Sequence, residues 1–235
     1  PRALGVVMLT SRTRWLWLQA GHRSLTSIVR AGHLPEPGLA SDARAAYDRM
    51  ADQVPWPDQT ANRFHVAINV LPLAALYTVL RERGWTEEHA VDTLRAASIT
   101  AAEPQRKAWT LMLRTQPGRR LYLRSVGPNW LGMFPPPAWA GHWVERSQNR
   151  VGFDMTRCYI VDTFRQLDAA PVAPAFCATE AYLQQGCPYL RFSRTGTLAS
   201  GADRCDYRYE LLPVPTPLPA GEVRLVRGRR EQGSR

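Results

Sequence analysis

Apolar positions in the first half of the chain recur at helical spacing, and near residue 142 the spacing switches to alternation. Ser41 is placed to cap a helix over 42–53 that Pro55 ends. A second helix is predicted over about 66–83, with Pro72 near its first turns and Gly84 as its stop. Thr86 caps a third, whose Glu87 and Glu88 suit the positive end of the helix dipole. A fourth begins near Pro104 and reaches about 115; its Trp109, Leu111, Met112 and Leu113 are too dense to be wholly exposed. Residues 117–141, rich in Gly, Pro and Trp, read as a structured loop. Val144 and Arg146 then pair with Val151, Phe153, Met155 and Arg157 across the turn Ser147–Arg150, as a hairpin. Helices over 158–168 and 174–185 follow, the second ended by Gly186, and strands over 189–198 and 203–212 complete the pattern. The predicted fold is α+β: a helical N-terminal half packed on an antiparallel sheet, with two helices inserted between its strands.

Composition adds limits. At 235 residues, 45% apolar and 21% charged, the chain suits one globular domain with a real core. That domain is expected over 39–212, after a poorly ordered segment at 1–38 and before a Pro/Arg-rich tail at 213–235. The net charge of +10 invites a nucleic-acid partner, but residues 1–30 carry +5 and residues 221–235 carry +3 of it. Only +2 is left for the body, so basic ends are expected to be solvated, with no nucleic-acid and no membrane partner. Lys107 is the sole lysine, a bias of GC-rich bacterial coding. The acid-free start resembles a transit peptide in composition, although Met8 is an alternative start. The run Trp15–Leu18 is too short to span a bilayer. The four cysteines lack Cys-x-x-Cys pairing, which points to reduced thiols in the cytoplasm.

Candidate chemistry gathers after residue 157. Cys158 ends a strand and opens a helix, where unpaired N–H groups, the dipole and Arg157 all favour a thiolate. Cys177 and Glu180 are three apart and share a helix face, as a nucleophile and proton carrier would. Cys205 alternates with Tyr207, Tyr209 and Leu211 and points inward; Asp206 points the other way, to brace a turn at 199–203 or pair with an arginine. Arg194 shares the core face with Leu190 and Phe192, and Arg157 follows Val151, Phe153 and Met155. An inward arginine needs an anion, either Glu180 or a substrate carboxylate. Cys187, between Gly186 and Pro188, reads as a plain loop residue. Three thiols with His142 would make four zinc ligands, but gaps of 19, 10 and 18 between successive cysteines fit no standard spacing, so neither metal nor cofactor is expected. His65 and His142 each precede an element, where a histidine serves either as a general base or, more often, as a capping or surface residue.

The segments Thr156-Arg157-Cys158-Tyr159, Phe176-Cys177-Ala178-Thr179-Glu180 and Arg191-Phe192-Ser193-Arg194-Thr195-Gly196, leading to Cys205-Asp206-Tyr207, together resemble the L-2-amino-thiazoline-4-carboxylic acid hydrolase family. Order and spacing agree over about 140–210, with a weaker echo in Leu73–Tyr77 and Arg83–Glu88. Two positions depart: Glu180 stands where the family has Asp, and Tyr207 where Phe is common. The resemblance implies a hydrolase that opens a cyclic amidine-like C=N, with Cys158, Cys177, Glu180 and Cys205 as the catalytic set. Arg157, Arg194 and Asp206 are then expected to bind a carboxylated small-molecule substrate. Two other classes fit the same scaffold: a tailoring or cyclising enzyme of secondary metabolism, and a non-enzymatic small-ligand or metal sensor.

Overall fold

The computed structural model describes residues 2–34, 36–126, 133–185 and 187–215. Helices dominate the first half: α1 (Arg2–Ala31), α2 (Leu39–Gln53), α3 (Thr60–Phe64), α4 (Leu71–Glu82), α5 (Glu87–Leu113) and α6 (Gln116–Ser125). Then come β1 (Ala140–Arg146), β2 (Arg150–Arg157), α7 (Tyr159–Gln166), α8 (Ala173–Gln185), β3 (Leu190–Ser193) and β4 (Cys205–Leu211). The strands form one antiparallel sheet in the order β1-β2-β4-β3, with α7 and α8 inserted between β2 and β3. The α+β arrangement is the one the switch in apolar spacing predicts.

The segment expected to be a poorly ordered lead-in is instead α1, and it belongs to the core. Leu25 and Ile28 are buried, and α1 packs on α2, α4 and α5. Its approach is close at Gly21, where an added Cβ would lie 1.9 Å from Tyr47 Oη and 2.3 Å from the Ala67 carbonyl. The acid-free, arginine-bearing sequence of the helix conceals its buried strip.

Between α3 and α4 the backbone widens into a π-helical stretch, His65–Val70, making one long run from Thr60 to Glu82. Pro72, which has no N–H to give, falls in the first turn of regular helix after it. Carbonyls of the wide stretch accept bonds from neighbours: Tyr47 Oη donates to Ala67 O at 2.9 Å, and Ser24 Oγ to Ile68 O at 2.9 Å. The run is long and apolar enough to cross a membrane, yet 72% of its apolar stretch is buried as the central core helix.

The third and fourth predicted helices are one: α5 continues through Pro104. Thr86 caps it by accepting from His89 N, as expected. The predicted loop at 117–141 begins as α6, whose Thr115 accepts from Gly118 N and whose Pro117 occupies the first turn. Proline there starts a helix rather than interrupting one. The strands at 189–198 and 203–212 are shorter than predicted, because residues 194–204 form a turn containing the 3-10 segment Leu198–Ser200. On β1 a bulge between Trp143 and Glu145 breaks the alternation and leaves Val144 53% exposed. Of the expected tail, residues 216–235 lie outside the described residues.

Register sets the sheet's inner face. Val151, Phe153 and Met155 sit opposite Tyr209, Tyr207 and Cys205, and Leu190 and Phe192 opposite Leu211 and Tyr209. All nine are buried, against α6 and α8. The outer face is laced with ion pairs, including Arg150 and Arg191 on Glu210 and Arg204 and Arg208 on Asp154.

Candidate active site

The inner face of β4, the first residue before α7, the middle of α8 and the end of β3 meet at one place. Glu180 on α8 is its centre. Its Oε2 accepts from Arg194 Nη1 at 2.9 Å and from Tyr207 Oη at 3.0 Å. The second arm of Arg194, Nη2, donates to the Cys177 carbonyl at 2.8 Å. The guanidinium also lies 5.2 Å above the Tyr207 ring and 5.9 Å from that of Phe192. Arg194 is only 7% exposed in its side chain and Glu180 28%. Burial works against the charge on Arg194, but Glu180 outweighs it and holds the guanidinium more firmly protonated than usual.

The three thiols expected to act share this place. Cys158 is the extended residue before α7, and the backbone N–H groups of Val161 and Ile160 at the start of that helix act favourably on its thiolate. Cys205 Sγ accepts from Leu198 N at 3.2 Å, a donor supplied by the 3-10 turn. Cys177 stands one helical turn before Glu180. Each thiol is close enough to feel the others and the Glu180 charge: Glu180 and Cys205 act on Cys158, and Glu180, Arg194, Cys158 and Cys205 act on Cys177.

Electrostatics differ from the sequence expectation of a stabilised thiolate. Burial pushes Cys158 up to about 12, against the pull of the two N–H groups at the start of α7. Burial also raises Cys177, with Glu180 adding to the rise and Arg194 opposing it. Cys205 is raised by burial too, against its bond from Leu198 N. The helix N-terminus acts in the expected direction, but removing the thiol from water is the larger effect.

Two expected substrate ligands are elsewhere. Arg157 lies past the buried part of β2, with 56% of its side chain exposed; it donates to Pro137 O at 3.0 Å and pairs with Asp162 at 3.4 Å. Asp206 is on the opposite sheet face and braces a turn, at 195–196 rather than 199–203. It accepts from Thr195 N at 2.9 Å, Gly196 N at 2.8 Å and Thr195 Oγ1 at 2.6 Å. Although burial opposes it, these bonds hold its carboxyl below the usual range. Gly196 leaves room for this, since a Cβ would meet that of Ala202 at 2.9 Å. Cys187 is not a plain loop residue but buried, with Thr110 Oγ1 3.6 Å from its sulfur.

Partners that the sequence could not assign complete the surroundings. Tyr207 reaches Glu180 directly, and Tyr122 donates to Gln184 on α8 while its ring packs edge-on to Tyr209. His65 lies within the long helical run rather than before it. It is buried beside Phe134 and Trp139, and its Nε2 donates to Met133 O at 3.0 Å. Burial, opposed by that carbonyl, lowers His65 to about 4. His142 is exposed on β1. Among the described residues, no group of three His, Cys, Asp or Glu is arranged to hold a metal ion.

A family model described as L-2-amino-thiazoline-4-carboxylic acid hydrolase matches residues 63–209. The match contains every residue of the Glu180 cluster and begins after α2. No curated protein and no solved structure matches the chain.

Proposed function

We propose that this chain, which belongs to the L-2-amino-thiazoline-4-carboxylic acid hydrolase family, opens a small cyclic C=N substrate bearing a carboxylate. The observation that carries this is the convergence of Cys158, Cys177 and Cys205 on one ion-paired carboxylate, Glu180, from three separate elements. A thiol and a carboxylate side by side supply what the hydrolysis requires. As a thiol adds to the ring carbon between the two nitrogens and sulfur, its proton passes to Glu180. The bond from that carbon to the ring nitrogen or sulfur then breaks, and the departing atom takes the proton. Water attacks the same carbon, gives up a proton, and returns the sulfur as a thiol; the net change is addition of one water. Because Glu180 takes the proton during attack, the step does not need a standing thiolate.

Cys158 is assigned as the nucleophile, since two backbone N–H groups support its developing charge. Arg194 holds Glu180 rather than the substrate, both of its terminal nitrogens being engaged within the protein. A second reading is favoured by the upward shift of Cys158 to about 12. In it Glu180 activates water directly and no covalent intermediate forms.

The test is incubation of the purified protein with L-2-amino-thiazoline-4-carboxylate. Appearance of a new free thiol reports cleavage of the ring C–S bond, and a new primary amine reports cleavage of the C–N bond. Turnover lost in both Cys158→Ser and Glu180→Gln, with a mass adduct on trapped wild type, supports covalent catalysis. Turnover kept in Cys158→Ser, Cys177→Ser and Cys205→Ser selects direct attack by water. Absence of any ring opening in wild type overturns the hydrolase assignment.

A further inference from the structure

Tyr207 carries a hydroxyl that its packing does not require. Its ring stacks on Phe153 with centroids 4.7 Å apart and packs against Tyr209 and Phe192, contacts a phenylalanine makes equally well. A buried phenol hydroxyl costs desolvation unless it is bonded. Here it is bonded to one atom only, Glu180 Oε2, the same oxygen that Arg194 Nη1 occupies.

The fork of Arg194 is also used in an uneven way. Instead of gripping both carboxylate oxygens, it spends one arm on Oε2 and the other on the Cys177 carbonyl. Oε2 therefore receives two donors, and Oε1 receives none from the described residues.

We propose that Tyr207 is a positioning residue for the proton-carrying step: with Arg194 it fixes the rotation of the Glu180 carboxylate, reserving Oε1 for proton exchange. This rests on the hydrolase reading for its chemistry, but the geometry it describes does not. Arg194 alone supplies one bond to the carboxylate, about which the group turns. A second donor from a different element, β4 rather than the end of β3, fixes its orientation.

Tyr207→Phe tests this, with Tyr209→Phe as the control that removes a hydroxyl from the neighbouring ring. Tyr207→Phe is expected to fold and to lower kcat roughly tenfold with little change in KM. Tyr209→Phe is expected to change none of these. An independent readout is the crystal structure of each variant, which shows the rotation of the Glu180 carboxylate directly. In Tyr207→Phe the carboxylate is expected to take more than one rotation, against one in wild type and Tyr209→Phe, whether or not a substrate has been found, so failure of the hydrolase reading leaves this measurement intact. A carboxylate held in its wild-type rotation in Tyr207→Phe, or released equally in Tyr209→Phe, overturns the proposal.

Discussion

At the scale of single residues, burial decides the chemistry of the thiols. Cys158 has the helix N-terminus that lowers a thiol pKa in water-exposed settings, yet it is held at about 12. Iodoacetamide at pH 8 is therefore expected to alkylate Cys158 and Cys177 in the native protein more slowly than free cysteine. Unfolding in denaturant should restore the ordinary rate. Fast native labelling at either site, located by mass spectrometry, would mean that substrate-free Glu180 already takes the thiol proton. Arg194 is decided by partners in the same way. With its side chain buried and paired, Arg194→Met leaves Glu180 without its ion and removes one bond to the Cys177 carbonyl. The expected loss is about 2–3 kcal/mol, or roughly 5–10 °C in melting temperature. A variant that melts like wild type but binds substrate weakly would return Arg194 to the role of carboxylate anchor.

At the scale of elements, α1 is the revision with the widest consequence. Deleting residues 1–30 removes Leu25 and Ile28 from the core together with the Ser24 bond to the π-helical stretch. Gly21 is the sharpest probe of the contact. In Gly21→Ala the better helix propensity of alanine contributes about 1 kcal/mol. Against it stands a Cβ 1.9 Å from Tyr47 Oη and 2.3 Å from Ala67 O, which forces α1 away from the core. The net effect is expected to be destabilising by roughly 1–3 kcal/mol, measured by denaturant unfolding. A variant as stable as wild type would show that α1 rides loosely on the body.

For the whole molecule, the pH dependence of stability should carry the mark of His65. Its folded pKa is lowered from 6.5 to about 4, because the buried ring resists protonation. The unfolded chain thus binds the proton first. Stability from this group is complete above about pH 6.5 and is lost as pH falls toward 4. Melting curves between pH 7 and pH 4 are expected to decline, and the decline should be shallower in His65→Phe. Equal slopes in the two proteins would place the acid sensitivity elsewhere, with the ion pairs on the outer face of the sheet as the next groups to examine.

Spacing along the chain determined more of this protein than its unusual charge suggests. The change of period near residue 142 gave the α+β class, and strict alternation put Cys205 and Tyr207 on the inner face of β4 and Asp206 on the outer. The three-residue interval put Cys177 and Glu180 on one side of α8. These features follow from local backbone geometry, which fixes the direction of a side chain relative to its own element. Tertiary structure alone decided what each side chain meets there. Two donors of Arg194 go to Glu180 and Cys177 O on another element, and Tyr207 finds a carboxylate 27 residues away in sequence. The thiol at the start of α7 is kept protonated by an environment assembled from the sheet and α8. Burial and electrostatics are sums over neighbours brought close by folding, and those neighbours are not the ones adjacent in the chain.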